Sequence, residues 1–329
     1  MIIEMESGQL KTIRILQIFE RLIQRQVINK RALAEEFQVS DKSIQRDIED
    51  LRTYLSEFYK HQNDIAIVYS DQKKGYQLQS DDRYLITHMD ILVLAKVLLE
   101  SRAFPKEELS RILDKLIEQA PGEHRKHIRE MIKNELFLYI PVRHNQPLFA
   151  KMWDLSFAVR ERRLVQMNYL RVNEQQPVSM NVQPLGLIFS DYYFYLVAYI
   201  EGVERDYPAT FRIDRIADYA VSGDRFHVSE RSRFQEGIFR QQVQFMQTGK
   251  LMKIKFRFWN KSLESILDRL PNAKVTMDGE VALIEAEVFG KGIMMWLLGQ
   301  GANVEVLGPP EFREEIAETA RRMASIYGV

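Results

Sequence analysis

Lys42, Ser43, Gln45 and Arg46 carry side chains that donate hydrogen bonds, and all four fall within the stretch VSDKSIQRDIEDL at 39–51. Arg and Lys match the acceptors that guanine shows in the major groove of DNA, Gln matches adenine, and Ser serves either. In the same stretch Ile44, Ile48 and Leu51 recur at helical spacing, continued by Leu55 and Phe58, and mark a buried stripe on the other side. Ser40 stands where an N-cap is needed, so the donors crowd the first two turns. The chemistry implied is the reading of base edges by the N-terminal end of a helix.

Such a helix needs elements to hold it in a groove. Ile13, Leu16, Phe19 and Ile23 predict a preceding helix; Ala32, Leu33 and Phe37 predict a second that starts near Asn29, and QVS (38–40) is the turn into the third. Downstream, IAIVY (65–69) and GYQLQ (75–79) flank DQKK, a strand, turn, strand signal. Three helices and a hairpin make a winged helix-turn-helix over residues 1–80, with Lys73 and Lys74 at the wing tip to meet phosphates. Asp41, Asp47, Glu49 and Asp50 leave this region with little net charge, so tight binding calls for a dimer.

Composition sets the outer limits. The 329 residues are enough for two to four domains, and 46% hydrophobic with 28% charged residues is a globular composition. The 46 basic residues balance the 46 acidic ones, so a nucleic-acid partner has to be found locally rather than in a global field. There is no cysteine, which excludes disulfides, thiolate zinc sites and cysteine nucleophiles and suits a reducing compartment, the cytoplasm. The most apolar run, ILVLAKVLL (91–99), is interrupted by Lys96 and is far shorter than the roughly 20 residues that cross a bilayer. The opening MIIEMESGQL lacks the pattern of a signal peptide.

Catalysis finds no support. His124 and His127 in EHRKH share a helical face without a third metal ligand nearby, and the glycines of GKG (290–292) and GQG (299–301) lack phosphate-loop spacing. No nucleophile elbow or base pairing is present, so neither enzyme activity nor a cofactor is expected.

The rest of the chain divides by texture. Residues 81–146 read as a helical connector broken near Phe104-Pro105 and Pro121-Gly122. From 147 to 222, a helix carrying Leu148, Met152, Leu155 and Val159 precedes short strands at 164–171, 178–184, 185–189, 194–199, 209–214 and 219–221, the pattern of a small β-barrel. Alternation in DYYFYLVAY puts Tyr193, Tyr195 and Tyr199 on one face, with Tyr192, Phe194 and Leu196 on the other. Residues 223–249 read as a linker with one helix. Residues 250–329 give strand, helix, strand, strand, helix, strand and a final helix, the order of a ferredoxin-like fold. The fold class is therefore α+β.

This order of parts, together with PLGLIFSDYYFYLVAY followed by FRIDRI, resembles the WYL-domain transcriptional regulators of bacteria, with Phe194-Tyr195-Leu196 at the Trp-Tyr-Leu position. The stretch MMWLLGQGANVEVLGPPEFREEI is similar to that family's C-terminal extension. The resemblance implies a homodimer that binds double-stranded operator DNA and a barrel, similar to Sm and SH3 folds, that senses a nucleic-acid-type effector, in the better understood members single-stranded DNA. It also implies that Tyr169, Tyr195, Arg212 and Arg215 face the effector, tyrosines by stacking and arginines by charge. Strict alternation separates Arg212 from Arg215 unless the strand bends or ends between them, and an ion pair to Asp214 or Asp218 is the competing use of either. The rival reading is a regulator or defence-associated module that senses a small nucleotide or another small molecule.

Overall fold

The donor-bearing stretch forms a helix, α3 (Asp41–Phe58), that turns Ile44, Ile48, Leu51 and Leu55 inward. A computed structural model describes residues 7–24, 26–58, 65–79, 86–227, 234–259 and 262–328, in two units, Met1–Pro141 and Val142–Val329. In the first unit α1 (Ser7–Ile23) and α2 (Lys30–Glu36) meet α3 around Ile18, Leu22, Leu33 and Ala34. Ser40 accepts from the Ser43 backbone amide at 3.2 Å, and Asn29 does the same for Ala32 at 3.1 Å, so each helix has a side-chain N-cap. Two apolar expectations fail. Phe58 is 73% exposed, and α1 buries Ile18 and Leu22, with Ile15 and Phe19 packed alongside, while Ile13, Leu16 and Ile23 face outward. Both sets on α1 have helical spacing, so only the shape of the partner helices decides between them.

The wing is an antiparallel hairpin of β1 (Ala66–Ser70) and β2 (Gly75–Gln79). Ile28 adds a bridge to its other edge, its amide and carbonyl pairing with those of Tyr76 at 2.7 and 2.8 Å. That approach explains Gly75. A Cβ there would lie 2.6 Å from Val27 Cγ1 and 2.7 Å from the Ile28 carbonyl.

The connector is three helices, α4 (His88–Ser101), α5 (Lys106–Glu118) and α6 (Gly122–Phe137), and each of the expected breaks is a helix start with proline as the N-cap. Their shared interior holds Ile91, Leu99, Leu109, Leu113, Ile117, Ile128 and Ile132. Each such side chain contributes about 1.5–3 kcal/mol by leaving water. The expected boundary at 80–81 lies outside the described residues. Among the described residues no helix is long and apolar enough to cross a membrane.

In the second unit α7 (Phe149–Glu161) lies against a five-stranded antiparallel sheet of β3 (Arg163–Tyr169), β4 (Val178–Ser190), β5 (Tyr193–Ile200), β6 (Ala209–Arg212) and β7 (Ile216–Arg225). Their order is β6-β5-β4-β3-β7, so the last strand returns beside the first. The two strands expected at 178–189 are one, with a register shift between Pro184 and Gly186 standing where a break was anticipated. Leu148, Leu155 and Ala158 from the helix side meet Val165, Met167, Val182, Leu196 and Ala198 from the sheet.

The stretch expected as a linker is largely structured. β7 runs on to Arg225, and α8 (Glu236–Gln242) belongs to a segment lying on the opposite face of the sheet, where Phe239, Val243 and Met246 cover Ile188 and Val197. Glu236 accepts from the Leu187 amide at 3.1 Å, in space that a Cβ on Gly186 would fill, and Thr210 donates to the Met246 carbonyl at 2.6 Å. Those apolar residues were legible, but not that they had a sheet face to cover.

Residues beyond 250 form β8 (Leu251–Phe258), α9 (Leu263–Arg269), β9 (Lys274–Asp278), β10 (Val281–Phe289), α10 (Gly292–Gly299), β11 (Val304–Gly308) and α11 (Pro310–Ile326). The antiparallel order β11-β8-β10-β9 is the ferredoxin-like one. Phe256, Phe258, Ile284, Ile293 and Leu297 fill its core with Trp296 packed against them, so the apolar run of α10 serves its own domain.

Candidate nucleic-acid interfaces

On α3 the structure places Lys42 and Arg46 on the exposed side, with no side-chain partner among the described residues, and Lys73 is likewise exposed at the wing. Ser43 is half-buried, its hydroxyl 3.0 Å from that of Ser40, so it belongs to the N-cap as much as to any groove. Gln45 is committed inward. Its amide donates to Glu49 at 2.9 Å and its carbonyl accepts from the Tyr76 hydroxyl of β2 at 2.9 Å. Arg52 extends this network, donating to Glu49 at 2.7 Å and to the Ile67 carbonyl of β1 at 2.9 Å. The guanidinium also stands 5.5 Å from the centre of the Tyr76 ring. Gln45, which the sequence suggests as an adenine reader, thus helps pin the wing to the helix. Lys74 takes a left-handed conformation, φ 51°, that turns the hairpin, and its carbonyl accepts from Asn29 at 3.3 Å while its side chain stays exposed.

The acidic residues of this helix are less of an obstacle than their number suggests. Asp47 is buried, its side chain 1% exposed, and takes two hydrogen bonds from Arg14 of α1, at 2.5 and 3.2 Å. Asp50 is paired with Lys11 at 2.9 Å. Glu49 is held by Gln45 and Arg52. Among the described residues the charges of α3 without a side-chain partner are then Lys42 and Arg46 against Asp41 and Glu57, and in the first two turns two cations face one acid. Arg14 and Lys11 lie outside the motif and give no local sign of this role; only the helix packing brings them to α3.

The sheet's candidates gather at one corner. β6 ends at Arg212, and residues Ile213–Arg215 form a 3-10 turn, which places both arginines about one corner in spite of alternation. Tyr169 is 9% exposed, stacked edge-on against Phe211 with ring centres 5.1 Å apart. Its hydroxyl accepts from the Arg212 backbone amide at 3.2 Å, and Arg215 hydrogen-bonds to it as well. Burial, the largest influence, pushes this phenol up. Tyr169 therefore anchors the turn and offers no open face for stacking.

Arg212 has two partners of its own. It makes a bidentate pair with Asp214, at 3.1 and 2.7 Å, with side-chain exposures of 19% and 4%, and its guanidinium sits 3.4 Å from the centre of the Tyr193 ring. Burial opposes the charge, while Asp214 holds it, and the balance raises the guanidinium above its ordinary value. The expected competitor for Arg212 is thus present. Tyr195 lies directly across from Arg212 in the β5–β6 register and edge-on to Tyr193 at 6.5 Å, with its other side against the α8 segment. Burial pushes its phenol up to about 12.

Three further residues complete this corner. Tyr193 is the half-buried aromatic between Arg212 and His144, whose ring is 6.3 Å away. Lys151 of α7 donates to the Ile216 carbonyl, and burial lowers its pKa against the pull of Asp214 and Asp218. Alternation had put Tyr193 on the right face; His144 and Lys151 stand some fifty residues upstream, beyond any local signal. Elsewhere His124 stacks on His88, ring centres 3.9 Å apart, and no group of three metal-ligating side chains occurs among the described residues.

Family models match three segments in order: an HTH domain over residues 14–77, a WYL domain over 152–221 and a WCX domain over 250–324. No curated protein matches the chain. Among solved structures it is similar to proteasome accessory factor B/C (PafBC) of Arthrobacter aurescens, at 16% identity and a TM-score of 0.31. That match covers 93% of this chain and 46% of the other, so the chain spans about half the length of that relative. It is also similar to a CRISPR Cas-related protein, at 13% identity and a TM-score of 0.36, covering 98% of this chain and 81% of that one.

Proposed function

We propose that this chain, a WYL-domain transcriptional regulator by its HTH, WYL and WCX domains in that order, binds operator duplex as a homodimer and is switched by single-stranded DNA at the corner of its WYL sheet. The observation that carries the first half is the set of exposed cations without side-chain partners among the described residues, Lys42, Arg46 and Lys73, beside carboxylates already held by Arg14, Lys11 and Arg52. A helix N-terminus of this kind reads base edges while flanking cations fix the register on phosphates. Two copies of so small a patch, set about one helical turn apart on the duplex, supply the affinity that one lacks.

Arg46→Ala is expected to cost about 1–3 kcal/mol at the cognate site and to relax preference at one base pair, whereas Lys73→Ala weakens all sequences alike. Unchanged operator affinity for a folded Arg46→Ala protein refutes this use of α3. Light scattering that finds a monomer at micromolar concentration refutes the dimer.

For the effector, the reading rests on a corner that joins tyrosines, the half-buried Arg215 and the Arg212–Asp214 pair. Arg215 takes the phosphate, because Arg212 is already neutralised by Asp214. Regulation further requires that the effector bind one arrangement of the dimer better than the other, since equal affinity shifts nothing. Titrating a short single strand into the operator complex of wild type and of Arg215→Ala tests this: an identical response in both sinks the assignment. A response to a mononucleotide but not to a strand points instead to a small-nucleotide sensor.

A further inference from the structure

His144 carries a buried polar atom without a hydrogen-bond partner among the described residues. Its Nδ1 accepts the Gln146 backbone N–H at 3.0 Å, and an amide nitrogen can only donate, so in the neutral ring the proton resides on Nε2. That Nε2–H is shut from solvent and finds no acceptor among the described residues. A donor left so is costly, and native structures tolerate it chiefly where something outside the chain supplies the missing partner. The ring faces Tyr193 of β5, Arg212 of β6, Asp214 of the 3-10 turn and Lys151 of α7, and it precedes the segment matched by the WYL model.

Resting on the effector reading above, we propose that His144 is a specificity-determining contact of the effector site, its Nε2–H donating to an uncharged acceptor on a nucleobase. A neutral acceptor fits better than a phosphate oxygen for two reasons. Asp214, 4% exposed, pairs with Arg212 beside the ring, and the other cation there, Lys151, already donates to the Ile216 carbonyl, so no cation of the niche stands free for an anion. Burial also lowers the imidazole from its ordinary value, which keeps it a neutral donor near pH 7. Base carbonyls of thymine, cytosine and guanine are suitable acceptors, and the tyrosines beside the niche give their rings a surface to lie on. Access requires Tyr193 to swing aside. Its hydroxyl has no hydrogen bond among the described residues to prevent that, and the ring is held by Arg212 over its face and by edge contacts with Tyr192 and Tyr195.

The test compares two fluorescently labelled strands of about ten nucleotides, oligo(dT) and an abasic strand of equal length that keeps every phosphate. Wild type is expected to bind oligo(dT) more tightly than the abasic strand. His144→Phe keeps a ring but loses the donor, and is expected to lose about tenfold or more in oligo(dT) affinity with no change on the abasic strand. His144→Gln, whose amide reaches the Nε2 position, is expected to retain much of the preference. In wild type the Nε2–H resonance of His144 should shift on adding oligo(dT), a readout that needs no variant to fold. Equal losses on both strands mean a phosphate contact and overturn the proposal. No loss on either, with the resonance unmoved, overturns it while leaving the effector reading standing. Binding of neither strand by wild type overturns the effector reading itself.

Discussion

Asp47 gives the sharpest separation between a charge counted in sequence and a charge placed in structure. Counted, it is one of four acids that repel DNA from α3, so Asp47→Asn should tighten duplex binding. Placed, it is a buried carboxylate bidentate to Arg14, with side-chain exposures of 1% and 12%, and it joins α1 to α3. Removing one partner of a buried pair costs about 3–5 kcal/mol, because the remaining charge is left desolvated. Arg14 retains some access to water, and the amide oxygen that replaces the carboxylate can still accept one hydrogen bond, so the structure supports about 2–3 kcal/mol. That is roughly a 30- to 150-fold loss in the folding equilibrium of this domain.

Urea unfolding followed by helical circular dichroism measures the loss, and duplex affinity is read at a urea-free condition where the variant remains folded. The expected result is a lower midpoint with an unchanged slope and no gain in affinity. A double replacement, Arg14→Met with Asp47→Leu, should recover most of the stability, since a buried pair exchanged for apolar groups is close to neutral. A variant with wild-type midpoint and tighter DNA binding would show that Asp47 acts as a surface charge, and the argument that α3 is already neutralised would fall with it.

Gly75→Ala is expected to cost about 1–3 kcal/mol of stability, read as a lower urea midpoint, and to weaken duplex binding, because the new Cβ would collide with Val27 and the Ile28 backbone and push the wing off its bridge. Tyr195 and Tyr219 are both pushed up to about 12, mainly by burial, with Asp154 adding to it at Tyr219. Their neutral phenols therefore add stability that is fully present below the usual pKa of about 10 and is lost as pH rises from there toward 12. Phenolate absorbance should show a late ionisation step near pH 12 that Tyr195→Phe diminishes.

Much of this fold was legible because its parts are local. Helical stripes, the Ser40 cap, the wing and the β-α-β-β-α-β order each need only their own segment to be read. What failed is what depends on a partner. Two apolar faces of α1 are equally periodic, and the choice of Ile18 and Leu22 over Ile13 and Leu16 is made by α2 and α3. The supposed linker contains Phe239, Val243 and Met246, apolar residues whose use appears only once a sheet face with Ile188 and Val197 stands opposite. The sites divide likewise. Alternation found the aromatic face of β5, yet Gln45 turned inward to Tyr76, Tyr169 became an anchor, and Arg212 went to Asp214, since each had a neighbour within reach that no spacing rule reveals.

The two nucleic-acid faces thus balance charge in opposite senses, and salt should tell them apart. At α3 Lys11 and Arg14 of α1 cancel Asp50 and Asp47, Arg52 holds Glu49, and Lys42, Arg46, Lys73 and Lys74 point outward; at the sheet corner a carboxylate cancels Arg212, Lys151 is held by the Ile216 carbonyl, and Arg215 remains. If Arg46 reads a base, the three lysines are the phosphate contacts, about six per dimer. Each phosphate neutralised on duplex DNA contributes roughly −0.9 to the slope of log affinity against log salt, against about −0.7 on a single strand. The duplex slope should then be roughly −5 and the effector slope near −1. Affinities measured by fluorescence anisotropy across a salt series for both ligands give the two slopes directly. Equal steepness would mean that the effector is held by phosphate charge after all and that the Arg212–Asp214 pair opens to receive it; a shallow effector slope leaves recognition to the tyrosines and to groups that donate without charge.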